Sequence, residues 1–158
     1  MKVNNLIDKE LIDALYDAAQ AGAQVDLIVR GMCCLRPGVP GLSERIRVRS
    51  LVGHFLEHSR IFQFGRERRG SHYYIGSADM MERNLDRRVE AAVPVTDPEL
   101  QASLAEMLEA ELADDVLAWE LGSDGTWTKV ATRRGLNSQE QFKALAYERS
   151  HPDGAAIT

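Results

Sequence analysis

The sequence predicts an α/β domain in which helices flank a mixed sheet, and three observations carry that expectation. A capped amphipathic helix near the start is followed by an almost unbroken apolar run, Val25 to Val29. Such a run is what a strand buried on both faces of a parallel sheet requires. Short strand-like segments then occupy the middle of the chain, and helical stretches flank a hairpin near its end.

Taken in order, the first helix spans roughly Asp8 to Ala21, with Asp8 as N-cap, Ile7 and Ile12 as a hydrophobic staple and Gly22 as the left-handed stop. Leu11, Leu15 and Ala18 or Ala19 repeat at helical spacing. The strand Gln24 to Val29 follows and places Arg30 at its carboxyl end, where open α/β sheets bind ligands. A Gly- and Pro-rich loop from Arg36 to Leu42 leads to a short strand, Ile46 to Arg49, and then to a helical turn over Leu51 to Leu56. Strands Ile61–Phe64 and Tyr73–Ile75 are joined by a mobile tip, Gly65 to Gly70, and Arg88 to Val95 forms another strand. Asp97 and Pro98 open a helix with Leu100, Leu104, Leu108 and Leu112 on one stripe. Val116–Leu121 and Thr126–Val130 form a hairpin about Ser123-Asp124-Gly125, Asn137 to Arg149 forms the last helix, and the chain frays from His151.

The 158 residues suit one domain with a real core, and 44% hydrophobic against 27% charged residues is an ordinary globular balance. No apolar run reaches the roughly 18 residues of a membrane span. With no signal-peptide pattern at Met1 to Asn5, a cytoplasmic location is expected. The opening Lys2 to Leu6 reads as the end of a strand or a junction, so natural sequence upstream is expected. The two cysteines, Cys33 and Cys34, are adjacent, and they read as reduced, buried thiols.

The net charge of −5 conceals an asymmetry. Between Arg30 and Gly70 there are nine arginines, no lysine and three acids, a segment of +6 in a chain that is otherwise −11. A basic centre in an acidic protein points to a localised anionic ligand and away from general affinity for nucleic acid or membrane. The guanidinium fork suits phosphate.

Four short motifs can carry chemistry: Val29-Arg30-Gly31, His58-Ser59-Arg60, Tyr74-Ile75-Gly76-Ser77-Ala78-Asp79, and Arg83-Asn84-Leu85-Asp86-Arg87-Arg88. His58 and Arg60, two apart on an extended segment, project to one side. A Gly-Ser turn beside them adds a hydroxyl and backbone donors. A titratable nitrogen, fixed positive charge and hydrogen-bond donors are what phosphoryl transfer asks of a protein. The pattern resembles the HxK…GSxN half-site of the phospholipase D superfamily, with Arg60 in the Lys position, Asp79 in the Asn position and Gly65 near the place of the usual Asp.

A longer string is more specific. The segments Asp26 to Gly41, Ile46-Arg47-Val48-Arg49-Ser50, Phe55 to Arg60, Ile75 to Asp79 and Arg83 to Glu90 resemble the C-terminal, phospholipase D-like domain of bacterial polyphosphate kinases. The resemblance covers residues 1–158 as a single domain, is strongest over 2–121, and leaves 150–158 as a flexible tail. Met80 replaces a usual Trp, and Arg66 to Arg69 replace a Gly/Asn-rich tip. The resemblance implies a phospholipase D-like mixed sheet and a kinase that reversibly moves the terminal phosphate of ATP onto inorganic polyphosphate with magnesium. It places the phosphorylated histidine in a preceding domain and the magnesium ligands outside this chain. By position, Arg30 is similar to a family arginine on nucleotide phosphates, and His58 to the second active-site histidine. Arg60, Ser77 and Asp79 join them in the phosphate-binding set, and Arg36, Arg47 and Arg49 are candidate walls of a polyphosphate channel. The implied partners are ATP/ADP, polyphosphate, the preceding domains of the same polypeptide and further copies in a homo-oligomer. No nucleic acid or transmembrane segment is expected, and the cytoplasmic location is compatible with peripheral membrane association.

Plainer readings stand beside these. Arg30 can be a strand-end cation paired with an acid, and Arg36, Arg47 and Arg49 a solvated strand face. Ser77 and Asp79 fix the turn and orient their neighbours rather than react. Asp86 with Arg83, Arg87 and Arg88 reads as a structural ion-pair network, and Trp119 and Trp127 as packing residues. A His54–His58 metal pair lacks a carboxylate partner, and His72 and His151 read as exposed. Two competing functions remain: a phosphodiesterase formed by two copies, and a polyanion-binding module without turnover.

Overall fold

In the computed structural model, which describes residues 1–65 and 70–151, one eight-stranded mixed sheet runs in the order β6-β5-β4-β1-β2-β3-β7-β8. The strands are β1 (Lys2–Val3), β2 (Val25–Val29), β3 (Ile46–Leu51), β4 (Ile61–Phe64), β5 (His72–Gly76), β6 (Ala92–Val95), β7 (Ala118–Leu121) and β8 (Trp127–Lys129), and the helices are α1 (Lys9–Gln20), α2 (Glu82–Arg87), α3 (Pro98–Ala113) and α4 (Ser138–Ser150). The expected α/β class with a mixed sheet is the one observed. β2 lies between β1 and β3 and is parallel to both, while every other pairing is antiparallel. Its unbroken apolar run follows from burial on both faces.

Because side chains alternate along each strand, the core divides into two layers. On one face Val3, Leu27, Val29, Ile46 and Val48 pack with Ile12 and Ala19 of α1. On the other, Ile28, Leu51, Ile61, Tyr73 and Ala118 pack with Leu108 of α3. Asp8 caps α1 by accepting from the Leu11 N–H, and Gly22 follows at φ 97°. Asp97 caps α3 and Asn137 caps α4 in the same manner.

Several expectations shift. Val52 to Arg60 is irregular, not a helical turn, because β3 continues through Leu51 and the Phe55 backbone is held by the distant Gln139. The absence of helix also removes the face that His54 and His58 would have shared. The strand expected from Arg88 starts only at Ala92, since Glu90 turns back to bond Ser77 and Asn84. The short helix α2 precedes it. Leu108 is buried but Leu100 is exposed, so the four-leucine stripe meets the core only along its later part. Cys33 is half-buried and Cys34 exposed; both are free, and burial pushes the Cys33 thiol up to about 11. The ion partners of Arg87 and Arg88 are Glu82 and Glu90 rather than Asp86. The Arg66–Arg69 tip and the tail beyond His151 lie outside the described residues.

Candidate functional site

The strand directions decide which side chains can meet. β1 and β2 run parallel, so Asn4 and Arg30 leave the sheet at the same edge. β4 is antiparallel to β1, so the residues preceding Ile61 arrive there too. β5 reverses again and delivers Gly76-Ser77-Ala78-Asp79, with the Gly76 N–H donating to the Arg60 carbonyl at 3.2 Å. Arg30, His58, Arg60, Ser77 and Asp79, distant in sequence, therefore share one sheet edge.

Asp79 is the hub of this edge. Its buried carboxylate accepts from the Asn4 N–H at 2.9 Å, from Asn5 Nδ2 at 3.2 Å, and from Arg60 Nε and Nη2 at 3.3 Å each. Burial by itself would raise the carboxyl's pKa, but the Asn4 N–H, Arg60 and Asn5 outweigh it and hold it below the ordinary range. Arg60 turns its remaining nitrogen toward His58, with Nη1 2.9 Å from the His58 carbonyl and 3.2 and 3.3 Å from the two ring nitrogens. His58 and Arg60 thus lie on one side, as their spacing predicts, although they precede β4 instead of belonging to it. The imidazole itself is exposed.

Arg30 is half-buried and donates from Nε to Asn4 Oδ1 at 2.9 Å. No carboxylate pairs with it among the described residues. The plainer reading of a strand-end cation neutralised by an acid is not what the structure contains. Gly31 is needed here: a Cβ would stand 2.6 Å from Asn5 Oδ1 and 3.1 Å from the Asn4 carbonyl. Ser77 donates to Glu90 at 2.5 Å and accepts from the Ala91 N–H at 3.0 Å, so its hydroxyl fixes the turn. Met80 is buried in the core.

Arg36, Arg47 and Arg49, the candidate channel walls, are engaged away from this edge. Arg49 is 7% exposed and points into the protein. It donates to the Leu112 and Asp114 carbonyls at the end of α3 and pairs with Glu120. Arg47 pairs with Asp26 near the amino end of β2, and Arg36 reaches the Ser123 carbonyl in the β7–β8 turn, toward the opposite edge. Among the described residues, no three His, Cys, Asp or Glu side chains gather into a metal-binding group.

Sequence reasoning missed the supporting residues. Asn4 and Asn5 tie Arg30, Gly31 and Asp79 together, and Glu57 beside His58 joins a buried cluster with Lys2, Glu111 and Gln139. Polar residues flanking an apolar strand were the available signal, yet their partners lie on other elements and no spacing rule finds them.

The profile of the polyphosphate kinase C-terminal domain 2 family matches residues 1–141. The chain is 61% identical over 126 residues to a polyphosphate kinase of Thermosynechococcus vestitus, covering 80% of this chain and 17% of that one. It is 57% identical over 132 residues to a polyphosphate kinase of Streptomyces coelicolor, covering 84% and 18%. The crystal structure of polyphosphate kinase from Porphyromonas gingivalis superposes with a TM-score of 0.87 at 38% identity, over 96% of this chain and 23% of that one. The chain thus spans about a fifth of the length of these relatives. With the profile match running from β1 into α4, the chain belongs to the polyphosphate kinase C-terminal domain 2 family.

Proposed function

We propose that this domain is the phosphate-contacting half-site of a polyphosphate kinase that reversibly transfers the terminal phosphate of ATP to inorganic polyphosphate. The observation that carries the proposal is the edge where Arg30, Arg60 and His58 converge. Its one central carboxylate, Asp79, is already committed to Arg60 and two asparagines, and Arg30 keeps a positive charge that no acid neutralises among the described residues. Fixed cations in a partly buried setting stabilise the charge that develops on transferring phosphoryl oxygens. The neutral side-chain amide of Asn4 orients Arg30 without cancelling its charge.

In this scheme the bond from the γ-phosphorus to its bridging oxygen breaks, ADP departs with the electron pair, and a P–N bond forms on a histidine of the preceding domain. That P–N bond then breaks as a terminal polyphosphate oxygen attacks phosphorus. His58 faces the transferring group and gives it a hydrogen bond or a proton. Magnesium would neutralise the substrate phosphates. Its protein ligands are proposed to lie outside this chain; among the described residues no three His, Cys, Asp or Glu side chains gather into a metal-binding group. No helix among the described residues is long and apolar enough to cross a membrane.

The chain alone is expected to produce no ADP from ATP and polyphosphate, because the phosphoryl-carrying histidine is elsewhere. Synthesis of polyphosphate from ATP by the purified chain, free of contaminating kinase, would overturn that assignment.

A further inference from the structure

His58 is carried by an irregular segment, Val52 to Ser59, that has little secondary structure to hold it. Among the described residues, Phe55 is the one position between Gly53 and Glu57 whose backbone bonds to another element, and both of its bonds go to one side chain. Gln139 Oε1 accepts from the Phe55 N–H at 2.9 Å, while Gln139 Nε2 donates to the Phe55 carbonyl at 2.9 Å and to Glu57 Oε1 at 2.7 Å. The other oxygen of Glu57 accepts from Lys2 Nζ at 2.6 Å. Gln139 is buried on the first turn of α4, and that turn is itself pinned: the Ser138 N–H and hydroxyl both donate to Asp114, at 2.7 and 2.8 Å. Gly53 leaves room for the clamp. A Cβ there would strike Gln139 Oε1 and lie 2.8 Å from Leu117 Cδ1.

We propose that Gln139 is a positioning residue for His58, coupling the start of α4 to the segment that presents the imidazole to its ligand. An amide that satisfies a backbone N–H and C=O together acts as a one-residue strand partner and fixes Phe55 in the way a sheet neighbour would. The Glu57 contact extends the constraint to the residue adjoining His58. The inference rests on the half-site reading for the importance of His58, while the clamp itself is a claim about geometry.

The test records the His58 imidazole resonances and titrates the 158-residue chain with tripolyphosphate, for the wild type, Gln139→Leu, Gly53→Ala and Leu11→Ala. Leu11 packs α1 against the core and serves as a comparison for general destabilisation. Gln139→Leu and Gly53→Ala should each displace or broaden the His58 signals relative to those of His72, and weaken tripolyphosphate binding about tenfold. Leu11→Ala should leave both unchanged at a comparable loss of Tm. If Gln139→Leu does not fold, Gly53→Ala decides alone. Undisplaced His58 signals despite a lowered Tm would overturn the clamp. Displaced signals in a chain whose wild type binds no tripolyphosphate would support the clamp while sinking the half-site.

Discussion

Arg60 and Asp79 meet in a two-point fork, with Nε and Nη2 of the guanidinium each 3.3 Å from a different carboxylate oxygen. The fork leaves Nη1 for His58 and sets the direction of the remaining positive charge. Since the same carboxylate also holds Asn4 and Asn5, one residue orients both ends of the basic edge.

Asp79→Asn keeps the shape but removes the charge, and should cost on the order of 1–3 kcal/mol in urea unfolding. The pH dependence follows from its depressed folded pKa. The native carboxylate holds its proton less tightly than the unfolded one, so its contribution is present above the ordinary value of 3.8 and lost as pH falls through the lower folded value. The wild type should therefore lose more stability than Asp79→Asn on acidification below about pH 4.

Glu111 titrates in the opposite sense. Burial raises its pKa to about 7, the charge and hydrogen bond of Lys2 oppose the rise, and the nearby Glu57 adds to it. The native state keeps a proton that the unfolded state has released, so this contribution is complete below about 4.5 and is lost as pH rises to about 7. Glu111→Gln, which resembles the protonated form, should flatten stability between those limits in thermal unfolding. An unchanged slope would show that Glu111 ionises normally.

Two arginines of one strand should behave differently. Arg49 is buried against the end of α3, and Arg49→Ala should destabilise by about 1–3 kcal/mol by stranding the Leu112 and Asp114 carbonyls. Arg47 is 63% exposed in its pair with Asp26, and Arg47→Ala should cost about 0–1 kcal/mol. Urea midpoints of the two variants make the comparison.

How much of this was legible depends on whether the signal was local. The caps Asp8, Asp97 and Asn137 bond N–H groups two or three residues away, so α1, α3 and α4 could be read directly. The run Val25–Val29 announced its buried parallel setting. α2 was not legible, because its N-cap, Met81, offers no side-chain cap. The alternation Ile46-Arg47-Val48-Arg49 correctly marked a strand, but not that the end of α3 covers its basic face at Arg49. At the site, strand ends brought Arg30, His58, Arg60, Ser77 and Asp79 to one edge. The asparagines that organise them were hidden, since Asn4 bonds Asp79 across 75 residues, and Gln139 reaches Phe55 across 84.

The most direct test of the half-site is calorimetric titration of the purified chain with polyphosphate, beside Arg30→Ala and His58→Ala. The account predicts binding by the wild type that weakens about tenfold or more in each variant, with folding intact by circular dichroism. Wild-type binding that neither substitution alters would contradict it, because the anion would then be held somewhere other than the edge where these residues meet.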